Sequence, residues 1–86
     1  MMTWRIERVS AGGHTILRFC GRIQSEHLAE LENQIQAAGP HLALDLNEVT
    51  LVDAGVVRFL LACEESGIEL RNCSPYIRQW MVRERA

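Results

Sequence analysis

The sequence contains no lysine: its nine basic residues are all arginine, set against eleven acidic residues for a formal net charge of −2. Without lysine, Schiff-base chemistry and the lysine of a phosphate-binding loop are excluded. The near-neutral charge argues against electrostatic binding to nucleic acid or to an anionic membrane, which needs a strongly basic face. No uncharged apolar run approaches the roughly 18–20 residues that span a bilayer. The composition therefore predicts a small soluble module.

The length of 86 residues and the 48% hydrophobic content predict one folded domain over residues 1–86. Charges at Arg5 and its neighbours stand where a secretory signal would need an apolar stretch. The three cysteines, Cys20, Cys63 and Cys73, are an odd number without a Cys-x-x-Cys pair. Because small secreted domains carry even disulfide frameworks, we predict a cytoplasmic protein with structurally buried thiols.

The first third of the chain has the pattern of a β-hairpin. Residues 3–9 and 14–20 alternate between apolar and polar side chains, which is typical of half-buried strands. Gly12 and Gly13 lie between them and predict a tight turn. Gly21 is expected to end the second strand.

A helix and a third strand are predicted next. Ser25 is a candidate N-cap, and Gly39-Pro40 stops the helix. The apolar stripe of this helix consists of Leu28, Leu31, Ile35 and Ala38. Residues 41–46 are mostly apolar, as expected for a central strand covered on both faces.

The remaining elements complete an α/β pattern. Asp53 is a candidate N-cap for a second helix over 54–65, residues 68–72 predict a strand, and Ser74-Pro75 begins a last helix. The predicted order is β-β-α-β-α-β-α, with right-handed crossovers and helices flanking the sheet. The expected core side of the second helix consists of Val56, Phe59, Leu60 and Cys63.

Several segments, in this order, resemble those of the STAS domain, the fold of bacterial anti-sigma factor antagonists and of sulfate-transporter cytoplasmic tails. The strongest match is residues 42–53, LALDLNEVTLVD, with an apolar strand, Asp-Leu and a Val-Thr-apolar-apolar-Asp segment. Further matches are Gly21-Arg22-Ile23, Leu60-Leu61, Gly67 to Leu70, and Asn72 to Pro75. The resemblance implies a single STAS-like α/β domain and a protein-interaction function.

The chain departs from the family pattern at the site of regulation. In anti-sigma factor antagonists the Asp is followed by two hydroxyl residues and Gly, and the second hydroxyl is phosphorylated. Here Ala54 and Gly55 follow Asp53, and Val56 replaces the Gly; with a one-residue gap, Gly55 matches the Gly and one hydroxyl is missing. Either alignment removes the phosphoacceptor, and added phosphate charge cannot switch this helix terminus. The chain also looks truncated relative to family members that continue into a further strand and helix.

The predicted partner-binding surface begins at the second helix. Its candidate residues are Asp53, Ala54, Gly55, Val57, Arg58 and Leu61. Asp53 is an N-cap that can also contact a partner, and Gly55 is either a close-approach point or a tolerated helical glycine. Arg58 is either an interface anchor or a solvated charge. Val57 and Leu61 are expected on the outward side beside it, as a helical docking surface needs.

These residues favour a non-catalytic binding module with no cofactor and no metal. The implied partner is an anti-sigma factor or serine kinase, or alternatively the ATPase subunit of a lipid or solute transporter. An alternative from another class is a small thiol-dependent redox protein. A small anion at the second helix N-terminus, phosphorylation at Thr50 and homodimerisation through strand edges stay open. His14, His27 and His41 lack metal-ligand spacing.

Overall fold

The computed structural model describes residues 4–85, and within that range the predicted order of elements is confirmed. The strands are β1 (Trp4–Ala11), β2 (His14–Ile23), β3 (Leu42–Val52) and β4 (Glu69–Arg71). The helices are α1 (Leu28–Ala38), α2 (Ala54–Glu65) and α3 (Pro75–Arg85), with a short 3₁₀ turn, Ser25–His27, before α1. The described chain is thus a small α/β fold.

The strands form one mixed sheet in the order β1-β2-β3-β4 within the described residues. β1 and β2 are antiparallel, joined by a two-residue turn in which Gly12 and Gly13 have φ of 58° and 82°. Positive φ at both positions is what a type I′ hairpin turn requires and glycine allows without strain. β2, β3 and β4 are parallel, which makes α1 and α2 crossover connections.

The parallel strands are longer than predicted. β2 continues past Gly21 to Ile23, and β3 includes residues 47–52, which the sequence suggested as a connection. The two extensions pair with each other, with register shifts on either side of Gly21. Both end in buried side chains, Ile23 at 0% and Val52 at 6% exposure. Burial of these two side chains explains why the strands continue together up to α2.

One apolar core lies on one face of the sheet. β2 contributes Leu17, Phe19 and Ile23, and β3 contributes Leu44 and Leu46. The helices contribute Leu31 from α1, Val56, Val57, Leu60, Leu61 and Cys63 from α2, and Ile77 and Met81 from α3. The predicted flanking helices α1, α2 and α3 share this cluster, so all three pack on the same face of the sheet. Residues 43–46 of β3 are buried on both sides of the strand, as expected for a central strand.

The opposite face of the sheet is lined with charges. Glu7, Arg18 and Asp45 lie side by side on β1, β2 and β3. Arg18 contacts Glu7 at 3.5 Å through Nη1 and Asp45 at 3.4 Å through Nε. Arg71 follows next to Asp45 on β4. The alternation of sign across neighbouring strands favours this pairing and suits a face that meets water.

Of the two serines predicted as N-caps, Ser74 and Ser25, one is confirmed and the other is not. Ser74 is confirmed as the N-cap of α3, because its Oγ accepts the Ile77 N–H at 3.3 Å. Ser25 does not cap α1: it is the first residue of the 3₁₀ turn, and α1 begins at Leu28 with His27 at the N-cap position and no side-chain cap bond. No helix among residues 4–85 has the length and apolar character to cross a membrane.

Candidate functional site

The N-terminus of α2 is organised by the carboxylate of Asp53. Asp53 is extended, with φ of −109° and ψ of 177°, and its Oδ1 accepts the Val56 N–H at 3.0 Å. This bond satisfies one of the backbone donors that the first helical turn leaves free. The prediction of Asp53 as the N-cap is confirmed.

The same carboxylate holds a segment that lies far away in the sequence. Its Oδ2 accepts the Ser25 N–H at 2.8 Å, and its Oδ1 accepts the Ser25 hydroxyl at 2.9 Å. Ser25 is exposed and opens the 3₁₀ turn before α1. Asp53 therefore joins the start of α2 to the start of the first helical segment, a contact that the sequence did not reveal.

The Asp53 carboxyl is held in its ionised form. Burial of the group raises its pKa, but hydrogen bonds from the Ser25 and Val56 backbone N–H groups and from the Ser25 hydroxyl lower it more, so the net pKa is below its ordinary value. Both oxygens of this carboxylate are engaged by donors of the chain itself. A group so occupied is suited to fixing geometry rather than to accepting a proton at neutral pH.

Gly55 lies where the 3₁₀ turn crosses the first turn of α2. A Cβ on this residue would collide with the Ser25 hydroxyl and lie 3.2 Å from the Ser25 Cβ. The close approach that the sequence suggested for a partner is made by the chain's own Ser25.

Val57 and Leu61 do not lie on the outward side of α2. Val57 is 0% and Leu61 8% exposed, and both belong to the core. The expectation fails because α3 packs against this side of α2 and covers it with Ile77 and Met81. These two residues are accordingly removed from the candidate docking surface.

Arg58 is outward and accessible. Its side chain is 65% exposed, and its Nε donates to the Glu84 Oε1 of α3 at 3.2 Å. Ala54, one helical turn earlier on the same side, is half-buried. Leu51, at the end of β3, is 43% exposed although it is a large apolar side chain. We call Leu51, Ala54 and Arg58 with exposed Ser25 the α2-start surface.

The side chain of His27 packs beneath the 3₁₀ turn and bonds to its backbone. It is buried, its Nδ1 accepts the Gln24 N–H at 3.0 Å, and its ring stacks on Trp4 with centroids 4.1 Å apart. The Nδ1 contact means that the proton of the neutral ring resides on Nε2. His27 thereby fixes the turn that presents Ser25 to Asp53.

A second carboxylate, Asp45, does comparable work at the opposite face of the sheet. It accepts the Asn47 N–H at 3.0 Å and the Asn72 side-chain amide at 3.1 Å. Burial raises the pKa of this carboxyl, but the two hydrogen bonds and the nearby Arg18 lower it by more. The net pKa is therefore below its ordinary value. Asn72 has a φ of 58°, a conformation that Asn tolerates and that directs the chain from β4 toward α3.

A shallow groove lies between α1 and α2. Ile35 of α1 and Phe59 of α2 line its apolar part, with Cys63 beside them. Phe59 was expected in the core, and it is only half-buried. The groove is open to solvent on a different side of α2 from Arg58.

The cysteines are poorly suited to nucleophilic work. Burial raises the pKa of the Cys63 thiol to about 11, and burial is also the main cause of the raised pKa values of Cys20 and Cys73. A reactive cysteine needs a lowered pKa and access to solvent. Within residues 4–85, no three His, Cys, Asp or Glu side chains are grouped so as to hold a metal ion.

The chain matches no protein-family model and no curated protein. The resemblance to STAS domains therefore stays a prediction made from the residues.

The contact between Gly55 and Ser25 predicts a reversal of sign in a double-mutant cycle. Gly55→Ala should lower the free energy of unfolding by about 1 kcal/mol, because the new methyl group displaces the Ser25 hydroxyl. In a Ser25→Gly background the same change should raise it by about 0.5 kcal/mol, since alanine is the better helix residue. Urea denaturation of the four proteins measures both values. Equal effects of Gly55→Ala in the two backgrounds would contradict the contact.

The lowered pKa of Asp53 predicts a loss of stability in acid. The unfolded carboxyl titrates at about pH 3.9, so the stabilisation is complete above that pH and is lost as the pH falls through the lower folded value. Asp53→Asn should be about 1 kcal/mol less stable than wild type at pH 7, because the amide removes the charge and one of the two acceptor oxygens that Ser25 and Val56 use, and the gap should close below pH 4. Urea denaturation between pH 2 and 7 tests this. Glu65→Gln, at an exposed position of the same helix, is the matched control and should show no such convergence.

Proposed function

We propose that this chain is a non-catalytic protein-interaction domain that resembles an anti-sigma factor antagonist and acts in the cytoplasm. Its docking site is the α2-start surface, with Asp53 and Gly55 as the residues that shape it. The observation that carries this proposal is the internal saturation of Asp53, whose oxygens accept bonds from Ser25 and Val56. Because these bonds occupy Asp53, the site offers a partner a fixed backbone and exposed side chains, and it does not offer a free acid or base for catalysis.

The exposed side chains of the α2-start surface, called its rim below, have the composition of a small docking surface. Leu51 offers an exposed apolar side chain, and Arg58 offers a guanidinium that is largely free to solvent. Arg and apolar anchors dominate the energetics of protein interfaces. Because the Asp53 contacts hold the 3₁₀ turn against α2, this rim is preorganised and a partner orders little of it on binding.

The order of elements supports the resemblance to STAS domains. The hairpin, the parallel β2–β3–β4 arrangement and the intervening helices follow the β-β-α-β-α-β-α order that the matching segments imply. In the alignment without a gap, Ala54 and Gly55 match the positions of the family's two hydroxyl residues, and in the alignment with a one-residue gap one hydroxyl is missing. A partner that recognises this surface would accordingly bind it constitutively, without a phosphate switch on α2.

Charge reversal and polar substitution on the rim test the docking site. A purified serine-kinase anti-sigma factor from the same genome is the probe, and binding is measured by titration calorimetry. Arg58→Glu and Leu51→Ser should each weaken the affinity about tenfold or more, since an interface anchor contributes roughly 1–2 kcal/mol. Both side chains are exposed, so circular dichroism should show intact folding.

Arg71→Glu is the matched control for Arg58→Glu. Arg71 is exposed on β4 and carries the same charge, but it pairs with Asp45 near the start of β3, whereas Leu51 lies at the end of that strand. Its reversal should change the affinity less than twofold. Equal loss for Arg71→Glu and Arg58→Glu would indicate a general charge effect and contradict the α2-start surface. Undiminished binding by both rim variants would also contradict it. Binding to a transporter ATPase subunit in place of the anti-sigma factor would identify the other partner class.

Absence of the phosphoacceptor predicts an unchanged mass. Incubation with the serine kinase and ATP, followed by intact-mass spectrometry, should show no added phosphate, because no hydroxyl occupies position 54 or 55. Thr50 and Ser25 are the exposed hydroxyls nearest the site along the chain and in space. Phosphate on either one would overturn the unswitched mode. Ser25→Ala and Thr50→Val separate the two positions.

A further inference from the structure

The two edges of the sheet are unequal. β4 is three residues long, whereas β1 runs for eight residues, and among residues 4–85 no strand pairs with its outer edge. β1 contains neither proline nor lysine and pairs without a bulge along Trp4–Ala11. Proteins normally protect a long regular edge with proline, a bulge or charged side chains, because its free N–H and C=O groups template further pairing. Of these devices β1 has only charges, at Arg5, Glu7 and Arg8.

The hairpin turn determines which backbone groups are free. In a hairpin closed by a two-residue turn, the flanking residues Ala11 and His14 form a hydrogen-bonded pair. In an antiparallel ladder the hydrogen-bonded pairs recur at every second residue, so Glu7 and Arg5 also bond to β2. The N–H and C=O groups of Trp4, Ile6 and Arg8 therefore point outward.

One antiparallel register of β1 against a second β1 is self-complementary. With Ile6 opposite its own copy, Arg5 of each chain faces Glu7 of the other, and Trp4 of each faces Arg8 of the other. Arg5 also contacts Glu7 of its own chain at 2.8 Å, so in this register the four side chains form one cluster of alternating charge on the polar face of the sheet. An arginine beside an indole is attractive as well. The outward groups of Trp4, Ile6 and Arg8 meet their counterparts in this same register.

The neighbouring registers are unfavourable. With Glu7 on the two-fold axis, Glu7 faces Glu7 of the other chain, and with Arg5 on the axis, Arg5 faces Arg5. With Arg8 on the axis, Arg8 faces Arg8. Like charges directly opposite each other destabilise a strand pair. The charge pattern of β1 therefore selects one register out of these four.

We propose that a second copy of this chain is the partner of β1, in a symmetric dimer with Ile6 on the two-fold axis. The axis is perpendicular to the sheet, so the two sheets become one continuous sheet with both helical layers on the same face. The interface consists of edge backbone bonds and the reciprocal Arg5–Glu7 pairs. This proposal stands on β1 alone and is independent of the α2-start surface.

Complementary charge reversal tests the register. Arg5→Glu and Glu7→Arg each place like charges opposite one another twice in the dimer, and each should weaken self-association about tenfold. In an equimolar mixture of the two variants, every substituted position faces the opposite charge. The mixture should then form a heterodimer with an affinity within about threefold of wild type. Sedimentation equilibrium over a range of concentrations measures all three associations.

Two further variants keep the test decisive. Glu7 also contacts Arg18, so Arg8→Pro serves if Glu7→Arg unfolds: it removes one outward N–H, leaves the β2 ladder intact and should weaken the dimer about tenfold. Arg71→Glu is the matched control, because Glu69 and Arg71 repeat the same spacing of charges on β4. It should leave the dimer unchanged. A monomeric wild type, a mixture that fails to associate, or a dimer broken by Arg71→Glu and not by Arg5→Glu would overturn the proposal.

Discussion

The fold depends on one constraint: the described chain has a single apolar interior, on one face of the sheet. Leu17 and Leu44 mark that face, and α1, α2 and α3 all bury their apolar side chains against it. Because all three helices pack on this face, no helix among residues 4–85 is left to cover the other one. That other face carries the ladder of Glu7, Arg18 and Asp45, whose opposite charges pair across neighbouring strands.

The same constraint explains which parts of the fold could be predicted. The hairpin, the stripe of α1 and the caps at Asp53 and Ser74 depend on local patterns, and these predictions are confirmed. α2 is different, because it is apolar over most of its circumference and two helices compete to cover it. A single apolar stripe could not be chosen there from periodicity, and Val57 and Leu61 were placed on the wrong side. Only the position of α3 decides that question.

The candidate site shows the same limit for polar groups. Asp53 could be predicted as a cap because a cap is a contact over three residues. Its bonds to Ser25 span 28 residues, and they follow from the sheet order that brings the ends of β2 and β3 together. Asp45 was likewise counted as part of an apolar strand, although it holds Asn72 and the turn into α3. Long-range polar contacts carry no sequence period and so left no signal.

These contacts also bear on what kind of function the chain can perform. The carboxylates of Asp45 and Asp53 each accept hydrogen bonds from several donors of the chain itself. Leaving a donor or acceptor unpaired there costs free energy, so a small domain uses such groups to hold its loops. Both proposed contact surfaces, the α2-start surface and the edge of β1, lie on the outside of the fold. Each is preformed, since Ser25 is held by Asp53 and β1 by its regular pairing to β2. A preformed surface loses little conformational freedom on binding, which supports the proposed protein-interaction function.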